Sequence, residues 1–233
     1  MSIFKFKQFD VDQTGCAMKI NTDGVLLGAT VSHPSPKRIL DIGTGTGVIA
    51  LMLAQRFPDA FIEAVEIDQL AAETASKNFR LSVFSERLNI NHVAIEKYNT
   101  NEKFDLIVSN PPFFVNDLKN EEFRKGIARH ANEDFFSLLV EKSNSLLADD
   151  GQIWLILPVK QANEAIAIAS HYDLSLAERI NIHSDENKPT FRQIICLKRG
   201  EALLKESDFN IYQSLKEHTQ EYKLLLKDFF LAY

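Results

Sequence analysis

A glycine-rich stretch of the sequence has the residue types of a loop that holds a nucleotide-like ligand. It consists of Asp41, Ile42, Gly43, Thr44, Gly45, Thr46 and Gly47, between a predicted strand and a predicted helix. Glycines at this position let the backbone approach a ligand close to the amino terminus of a helix. Glu66 ends the following predicted strand, where its carboxylate can accept both hydroxyl hydrogens of a ribose. Together, these features predict a cofactor that contains a nucleoside.

The spacing of the glycines distinguishes this loop from one that binds a dinucleotide. It reads Gly-x-Gly-x-Gly, whereas the dinucleotide fingerprint is Gly-x-Gly-x-x-Gly, whose last glycine would fall at Val48. Asp41 stands just before the glycines, and a carboxylate there suits a cofactor with a cationic amino-acid end better than a pyrophosphate. The loop resembles that of class I S-adenosylmethionine-dependent methyltransferases, and the resemblance covers nearly the entire chain. It implies S-adenosylmethionine as the cofactor, bound by Asp41, Gly43, Thr44, Gly45, Gly47, Glu66, Ile67, Ala94 and Asn110.

A second group of residues, Asn110, Pro111, Pro112 and Phe113, directly follows the fourth predicted strand. An exocyclic amine or amide nitrogen is a poor nucleophile because its lone pair is delocalised, so acceptors must hold its hydrogens while it attacks. The Asn110 side-chain oxygen and the Pro111 carbonyl could provide two such acceptors. Each proline fixes φ and removes a competing N–H donor, while Phe113 offers a face on which a planar base could stack. We therefore predict these four residues as the catalytic residues.

The two motifs together do not identify which amine receives the methyl group. They resemble amino-methyltransferases that act on adenine, on guanine or on protein glutamine. Phe113 stands where several adenine-modifying relatives have tyrosine, and phenylalanine also occurs in guanine-modifying ones. A glutamine side-chain amide fits the same pair of acceptors. Outside the enzymes, the alternative is a binding module that retains the fold without turnover.

The segment made of residues 16–28 narrows this choice. It closely resembles the segment that precedes the core in the bacterial tRNA-valine adenine-N6 methyltransferase family. The resemblance implies methyl transfer to N6 of an adenine in tRNA, next to the anticodon of tRNA-valine. In that family the segment lies over the cofactor, so Lys19, Thr22 and Asp23 are implied cofactor contacts. Ala94 is a departure, because many relatives present an acidic residue toward the cofactor adenine at that position.

The charge of the chain limits how it could bind RNA. A net charge of −6 argues against a protein that coats nucleic acid indiscriminately, because neutralisation of phosphates drives such binding. A tRNA substrate then requires a local basic patch, which we predict around the Asn110 loop from Lys5, Lys7, Arg124, Lys125, Arg129 and Arg192. His130 is assigned no catalytic role. No His, Cys and Asp cluster has metal-ligand spacing, so no metal is predicted.

The elements that must position these residues follow the pattern of a doubly wound α/β fold. A hydrophobic content of 45% and a charged content of 25% are typical of a folded, water-soluble protein, and we expect a cytoplasmic one. The predicted strands are Arg38–Ile42, Phe61–Glu66, Leu88–Val93, Asp105–Ser109, Ile153–Leu157, Leu174–Ile182 and Phe191–Lys198. The predicted helices between them are Val48–Phe57, Leu70–Phe79, Asp134–Leu147 and Gln161–Ala169. This is a sheet of seven strands in a Rossmann-like order.

The last two predicted strands have no helix between them, so they should form an antiparallel hairpin. We expect one methyltransferase domain over residues 1–233. It comprises an amino-terminal covering segment (1–36), the Rossmann-like core (37–200) and a carboxyl-terminal extension (201–233). In the first of these, Phe4–Phe9 alternates like a short strand and Thr22 looks like the cap of a helix. In the last, Thr219 could cap a final helix.

Overall fold

A computed structural model describes residues 3–16, 18–112 and 131–233, with side chains from residue 135 onward in the last range. The strands are β1 (Ile3–Lys5), β2 (Asp10–Asp12), β3 (Arg38–Ile42), β4 (Phe61–Glu66), β5 (Leu88–His92), β6 (Phe104–Ser109), β7 (Leu147–Leu157), β8 (Leu174–His183), β9 (Thr190–Arg199), β10 (Lys205–Asn210), β11 (Tyr212–Ser214) and β12 (Glu217–His218). The helices are α1 (Thr22–Thr30), α2 (Val48–Arg56), α3 (Gln69–Leu81), α4 (Ala131–Leu146), α5 (Val159–Ala169) and α6 (Gln220–Leu226). The elements of the core alternate as predicted.

The central sheet has eight strands within the described ranges, in the order β10-β8-β9-β7-β6-β3-β4-β5. Strands β3 to β7 are parallel, whereas β9 runs antiparallel to both β7 and β8. The doubly wound order and the final antiparallel hairpin are therefore confirmed. The predicted count of seven strands was one short, because β10 pairs in parallel with β8 and extends the sheet. Its sequence, Lys-Glu-Ser-Asp-Phe-Asn, carries no apolar alternation that would predict a strand.

Helices cover both faces of the sheet, and successive strand residues alternate between two hydrophobic cores. In β3, Ile39 packs into one core and Leu40 into the other, and both are fully buried. Trp154 and Leu155 divide in the same way in β7. The carboxyl ends of the parallel strands lie at one edge of the sheet, so the loops after β3, β4 and β6 meet there. No helix in the described part of the chain is long and apolar enough to cross a membrane.

The first helix begins one residue earlier than its predicted cap implied. Asn21 has an extended backbone, and its Oδ1 accepts a hydrogen bond from the Gly24 N–H at 2.9 Å. Thr22 is therefore the first residue of α1, and the predicted cap was wrong. At the other end of the chain Thr219 does cap α6, since its Oγ1 accepts from the Tyr222 N–H at 3.1 Å.

The amino-terminal segment packs against the carboxyl-terminal one. The predicted strand Phe4–Phe9 is shorter in the structure, where β1 pairs with β2 in an antiparallel hairpin. Phe6 forms an isolated bridge with Phe230, and their ring centroids are 5.7 Å apart. The Lys7 ammonium donates to the Tyr233 carbonyl at 2.7 Å. These contacts hold the two ends of the chain together. The division into one core with two extensions stays a prediction.

Candidate active site

The glycine loop follows β3, and its backbone conformation provides space for a ligand. Gly43 and Gly45 have φ values of +72° and +56°, which L side chains rarely adopt. An added Cβ at either position would meet no atom within 4 Å, so both glycines border open space. At Gly47 an added Cβ would lie 2.5 Å from the Phe79 ring, so this third glycine permits close packing against α3. The first two glycines are thus the ones that could receive a cofactor.

Glu66 is locked beside this loop by backbone donors. Its Oε2 accepts from the Gly45 N–H at 2.8 Å, and its Oε1 accepts from the Asp68 N–H at 2.9 Å. The side chain is almost completely buried. Each carboxylate oxygen has a further lone pair, so both could also accept a ribose hydroxyl. The predicted ribose contact is compatible with this geometry and stays a prediction.

Asp41 provides a buried carboxylate at the start of the loop. The Thr44 hydroxyl donates to its Oδ2 at 2.6 Å, but its Oδ1 has no hydrogen bond of regular geometry among the described residues. Complete burial raises the pKa of Asp41 to about 7, the Thr44 hydroxyl and the Ala50 N–H oppose this shift, and the nearby Glu66 carboxylate adds to it. A buried carboxylate with an unsatisfied oxygen favours a ligand that brings positive charge or a donor. The loop residues therefore fit S-adenosylmethionine, which carries a sulfonium and an ammonium group.

Side chains of α3 hold the covering segment against the glycine loop. The Asn78 side-chain amide donates to two backbone carbonyls, that of Thr46 in the loop at 2.8 Å and that of Asp12 at 2.9 Å. The Thr74 hydroxyl donates to the Thr14 carbonyl at 3.0 Å. Residues 12–14 therefore lie close to the glycine loop, and the cover over the cofactor that the resemblance implies for residues 16–28 stays a prediction.

Asn110 lies next to the glycine loop at the end of β6. The Ser109 hydroxyl donates to the Ile42 carbonyl at 2.8 Å and so joins the carboxyl ends of β6 and β3. Asn110 Nδ2 faces Asn21 Oδ1 at 3.4 Å, and that same oxygen accepts the Gly24 N–H. Because Asn21 Oδ1 can only accept, it orients the Asn110 amide with Nδ2 toward α1. The Asn110 Oδ1 is consequently the atom left to accept a hydrogen from a substrate.

A cleft with a volume of about 530 Å³ opens at this position. It is lined by Met18, Asn21, Thr22, Asp23, Asn110, Pro111, Pro112, Ser184, Phe191, Arg192, Ile211 and Tyr212. Six of the residues predicted from the sequence thus come together: Thr22, Asp23, Asn110, Pro111, Pro112 and Arg192. The sequence analysis missed the other six, among them both aromatic residues. The local pattern around Phe191 and Tyr212 contains no signal that would place either of them beside Asn110.

Two residues that were predicted for different ligands form an ion pair in this cleft. Arg192 Nε donates to Asp23 Oδ2 at 2.8 Å, and both side chains are largely shielded from solvent. Asp23 was predicted to bind the cofactor and Arg192 to bind RNA. Their contact joins the start of α1 to β9, so either substitution should affect both parts of the site.

The remaining predicted residues lie outside the cleft or outside the described residues. Lys5 and Lys19 are exposed on the amino-terminal segment, Ile67 is exposed after β4, and the Ala94 carbonyl accepts from the Lys97 N–H in a single helical turn. Phe113, Arg124, Lys125, Arg129 and His130 fall outside the described residues. The roles predicted for all of these residues stay predictions. Across the described ranges, no group of three or more His, Cys, Asp and Glu side chains is arranged to hold a metal ion.

The fold is that of known methyltransferases. A predicted O-methyltransferase from Agrobacterium tumefaciens superposes with a TM-score of 0.71 at 20% identity, over 89% of this chain and 96% of that one. A TehB-like SAM-dependent methyltransferase from Corynebacterium glutamicum superposes with a TM-score of 0.53 at 17% identity, over 78% and 90% of the two chains. The structure thus defines a class I methyltransferase fold with a cleft beside its cofactor loop.

Sequence comparison places the chain within a particular family. The family model of the methyltransferase small domain matches residues 16–175. A tRNA1(Val) (adenine(37)-N6)-methyltransferase from Pedobacter heparinus is 56% identical over 99% of this chain and 98% of its own length. A protein of the same name from Christiangramia forsetii is 40% identical over 98% of this chain and 97% of its own length. The chain belongs to the methyltransferase small domain family, together with these relatives.

Proposed function

We propose that the protein transfers a methyl group from S-adenosylmethionine to N6 of an adenine in tRNA, and that the target is adenine 37 of tRNA1(Val), as the names of its relatives state. One observation carries the proposal. The Asn110 amide is oriented with its Oδ1 at the end of β6 bonded to none of the described residues, and the Ser109 bond to Ile42 joins this end to the glycine loop. A hydrogen-bond acceptor for an amine therefore lies beside the predicted methyl donor.

The cofactor would be held by the glycine loop and the two acidic residues around it. When bound, S-adenosylmethionine supplies an electrophilic methyl group on its sulfonium. Gly43 and Gly45 allow the backbone to approach it, and Glu66 can accept from the ribose hydroxyls. Asp41, whose Oδ1 lacks a regular hydrogen bond within the described ranges, suits the cationic end.

The target amine would be prepared by Asn110 and the prolines that follow it. Asn110 Oδ1 and the Pro111 carbonyl can accept the two amine hydrogens, which favours a pyramidal nitrogen whose lone pair is available for attack. The acceptors gain strength as the nitrogen becomes cationic, so they stabilise the transition state more than the ground state. The amine nitrogen would gain the methyl group as the sulfonium–methyl bond breaks, and its extra proton would then pass to solvent water. Orientation of the two reactants can lower the barrier by roughly 7–11 kcal/mol at most.

A tRNA would approach through basic residues despite the acidic total. The predicted patch combines Lys5, Lys7, Arg124, Lys125, Arg129 and Arg192, and its contacts with phosphates should weaken as the salt concentration rises. Such an enzyme would act in the cytoplasm, where tRNA is found. Binding of tRNA that does not depend on salt would contradict the patch.

A single assay tests the assignment against its alternatives. The protein is incubated with labelled S-adenosylmethionine and undermodified tRNA1(Val), and the RNA is digested to nucleosides. We expect label in N6-methyladenosine, and none when adenine 37 of the transcript is replaced by guanine. Label in N2-methylguanosine, or only in a release factor supplied as a protein substrate, would overturn the proposal. The absence of transfer to RNA and protein would indicate a binding module.

A further inference from the structure

The carboxyl-terminal extension contributes an aromatic wall to the cleft that holds Asn110. Tyr212 lies at the start of β11 and lines the cleft with about a third of its surface exposed. Its backbone N–H donates to the Ser184 carbonyl at 2.8 Å, and Ser184 also lines the cleft. The extension is thereby docked on the end of β8. Tyr212 was not among the predicted site residues.

The Tyr212 ring is supported from behind by a stack of aromatic rings. It stacks on His218 of β12 with a centroid distance of 4.9 Å and an interplanar angle of 22°. His218 in turn stacks on Tyr222 at 4.3 Å and 15°, and Tyr222 is buried in the core. The Tyr233 hydroxyl is 2.6 Å from His218 Nδ1, which fixes the rotation of the imidazole in the middle of the stack. We call Tyr212, His218 and Tyr222 the aromatic column.

The column packs against one face of the Tyr212 ring, although about a third of this residue is exposed. One face of its ring is covered by His218, so the part that reaches the cleft is the opposite face or the edge. A ring held in this way is preorganised, and little conformational entropy is lost when a planar ligand stacks on it. Phe191 lies in the same cleft, with the Arg192 guanidinium 5.5 Å from its ring centroid. The cleft therefore offers two supported aromatic rings close to an amine acceptor.

We propose that Tyr212 is a binding residue for RNA, and that a base of the tRNA at or next to the target adenine stacks on its ring. This inference rests on the proposed function. Stacking tolerates any base, because each base has a π-face, and is worth roughly 1–3 kcal/mol per base. The amine acceptors at Asn110 select the reacting group, whereas Tyr212 fixes the plane of the nucleotide. Phe113 then need not be the sole stacking residue of the site.

The test compares full-length Tyr212→Leu and Tyr212→Phe proteins with the wild type. Affinity for undermodified tRNA1(Val) is measured by filter binding in the presence of S-adenosylhomocysteine. Tyr212→Leu should weaken the complex by about 5- to 150-fold, whereas Tyr212→Phe, which retains the ring, should stay within about twofold. Phe61→Leu is the matched control, since Phe61 is an exposed aromatic residue at the amino end of β4. S-adenosylmethionine affinity should be unchanged in all three variants.

A fluorescent base identifies the nucleotide that stacks. 2-Aminopurine is placed in turn at the target position and at each neighbouring position, and quenching on binding is recorded. Quenching that is lost in Tyr212→Leu supports the proposal and assigns the ring to that nucleotide. Unchanged quenching and tRNA affinity in Tyr212→Leu would overturn the proposal. An equal loss of tRNA affinity in Tyr212→Phe would also overturn it. A wild-type protein that binds tRNA through Tyr212 but forms no N6-methyladenosine would overturn the proposed reaction while supporting this inference.

Discussion

The cofactor side and the substrate side of the site are built in opposite ways. The glycine loop and Glu66 come from two neighbouring stretches of sequence, and their groups hydrogen-bond one another. The cleft is assembled from residues 18–23, 110–112, 184–192 and 211–212, and its ion pair joins Asp23 to a residue that lies 169 positions away. The predicted cofactor site is therefore formed by residues that are close in sequence, whereas the substrate cleft is formed by long-range packing. Variants on the two sides should fail in different measurements.

The largest effect is expected from Asp41, because its carboxylate is fully buried. Its folded-state pKa of about 7 lies above its ordinary value of 3.8, so the folded chain prefers the protonated form. Its stabilising contribution is complete below about pH 4 and is lost as the pH rises through 7, a difference of about 4 kcal/mol. Asp41→Asn should remove this pH dependence and make the variant relatively more stable at pH 8 without cofactor. Urea unfolding from pH 4 to 8 measures the free energy of unfolding, and Asp10→Asn on β2 is the control. Free energies of wild type and Asp41→Asn that change in parallel with pH would contradict the prediction.

The second largest effect is expected from Asn110, whose side-chain oxygen is the predicted amine acceptor on the substrate side. Asn110→Ala should raise the barrier by about 2.7–4 kcal/mol, a hundred- to thousandfold fall in the single-turnover rate of methyl transfer. Affinity for S-adenosylmethionine should fall much less than the rate, because Asn110 is only one of the predicted cofactor contacts and the glycine loop and Glu66 are untouched. Asn89→Ala, on the exposed surface of β5, is the control variant. Wild-type transfer by folded Asn110→Ala protein would remove Asn110 from the mechanism.

Glu66→Gln should give a smaller loss that is confined to the cofactor. The amide loses the charge that would accept from the ribose, and its NH2 group must face one of the two backbone N–H donors of Gly45 and Asp68. The expected cost is about 1.5–3 kcal/mol in cofactor binding, or roughly 10- to 150-fold. Calorimetric titration with S-adenosylmethionine measures it, and tRNA affinity should stay within about twofold. Glu86→Gln on an exposed turn is the matched control. Unchanged calorimetry for a folded variant would place the ribose elsewhere.

The smallest effect should come from the ion pair that joins the two sides. Arg192→Gln removes a partly buried partner of Asp23 and should weaken binding of both cofactor and tRNA by about fivefold, near 1 kcal/mol. Arg179→Gln is the control, since Arg179 of β8 pairs with Glu206 of β10 and its side chain is about as exposed as that of Arg192. A loss of tRNA affinity alone would show that Arg192 acts on RNA and not through Asp23.

The parts that could be predicted from sequence share a local physical cause. The bounds of β3 and β4 match the prediction, because each strand is a buried apolar run that ends at a loop or an acidic residue. The antiparallel hairpin followed from the missing helix between β8 and β9. Asn110 and the glycine loop were found because the chemistry of each lies in consecutive residues.

The parts that were missed depend on tertiary packing. Asn21 and Thr22 are both good caps, and the choice between them depends on which residue takes the extended backbone. Tyr212 reaches the cleft only because β11 docks on the end of β8. Such placements arise from packing over long sequence separations, and a pattern of a few residues does not contain them.

The strand β10 protects this chain against edge-to-edge aggregation. It covers β8, which would otherwise present a row of unpaired backbone groups at the edge of the sheet. Lys205, Glu206 and Asp208 put charge of both signs on the new edge, which discourages pairing with another molecule. A chain cut after Gly200 would keep every motif residue and yet expose β8. Aggregation should be the first symptom of that deletion, and any chain that stays in solution should also bind tRNA more weakly, because it lacks Tyr212.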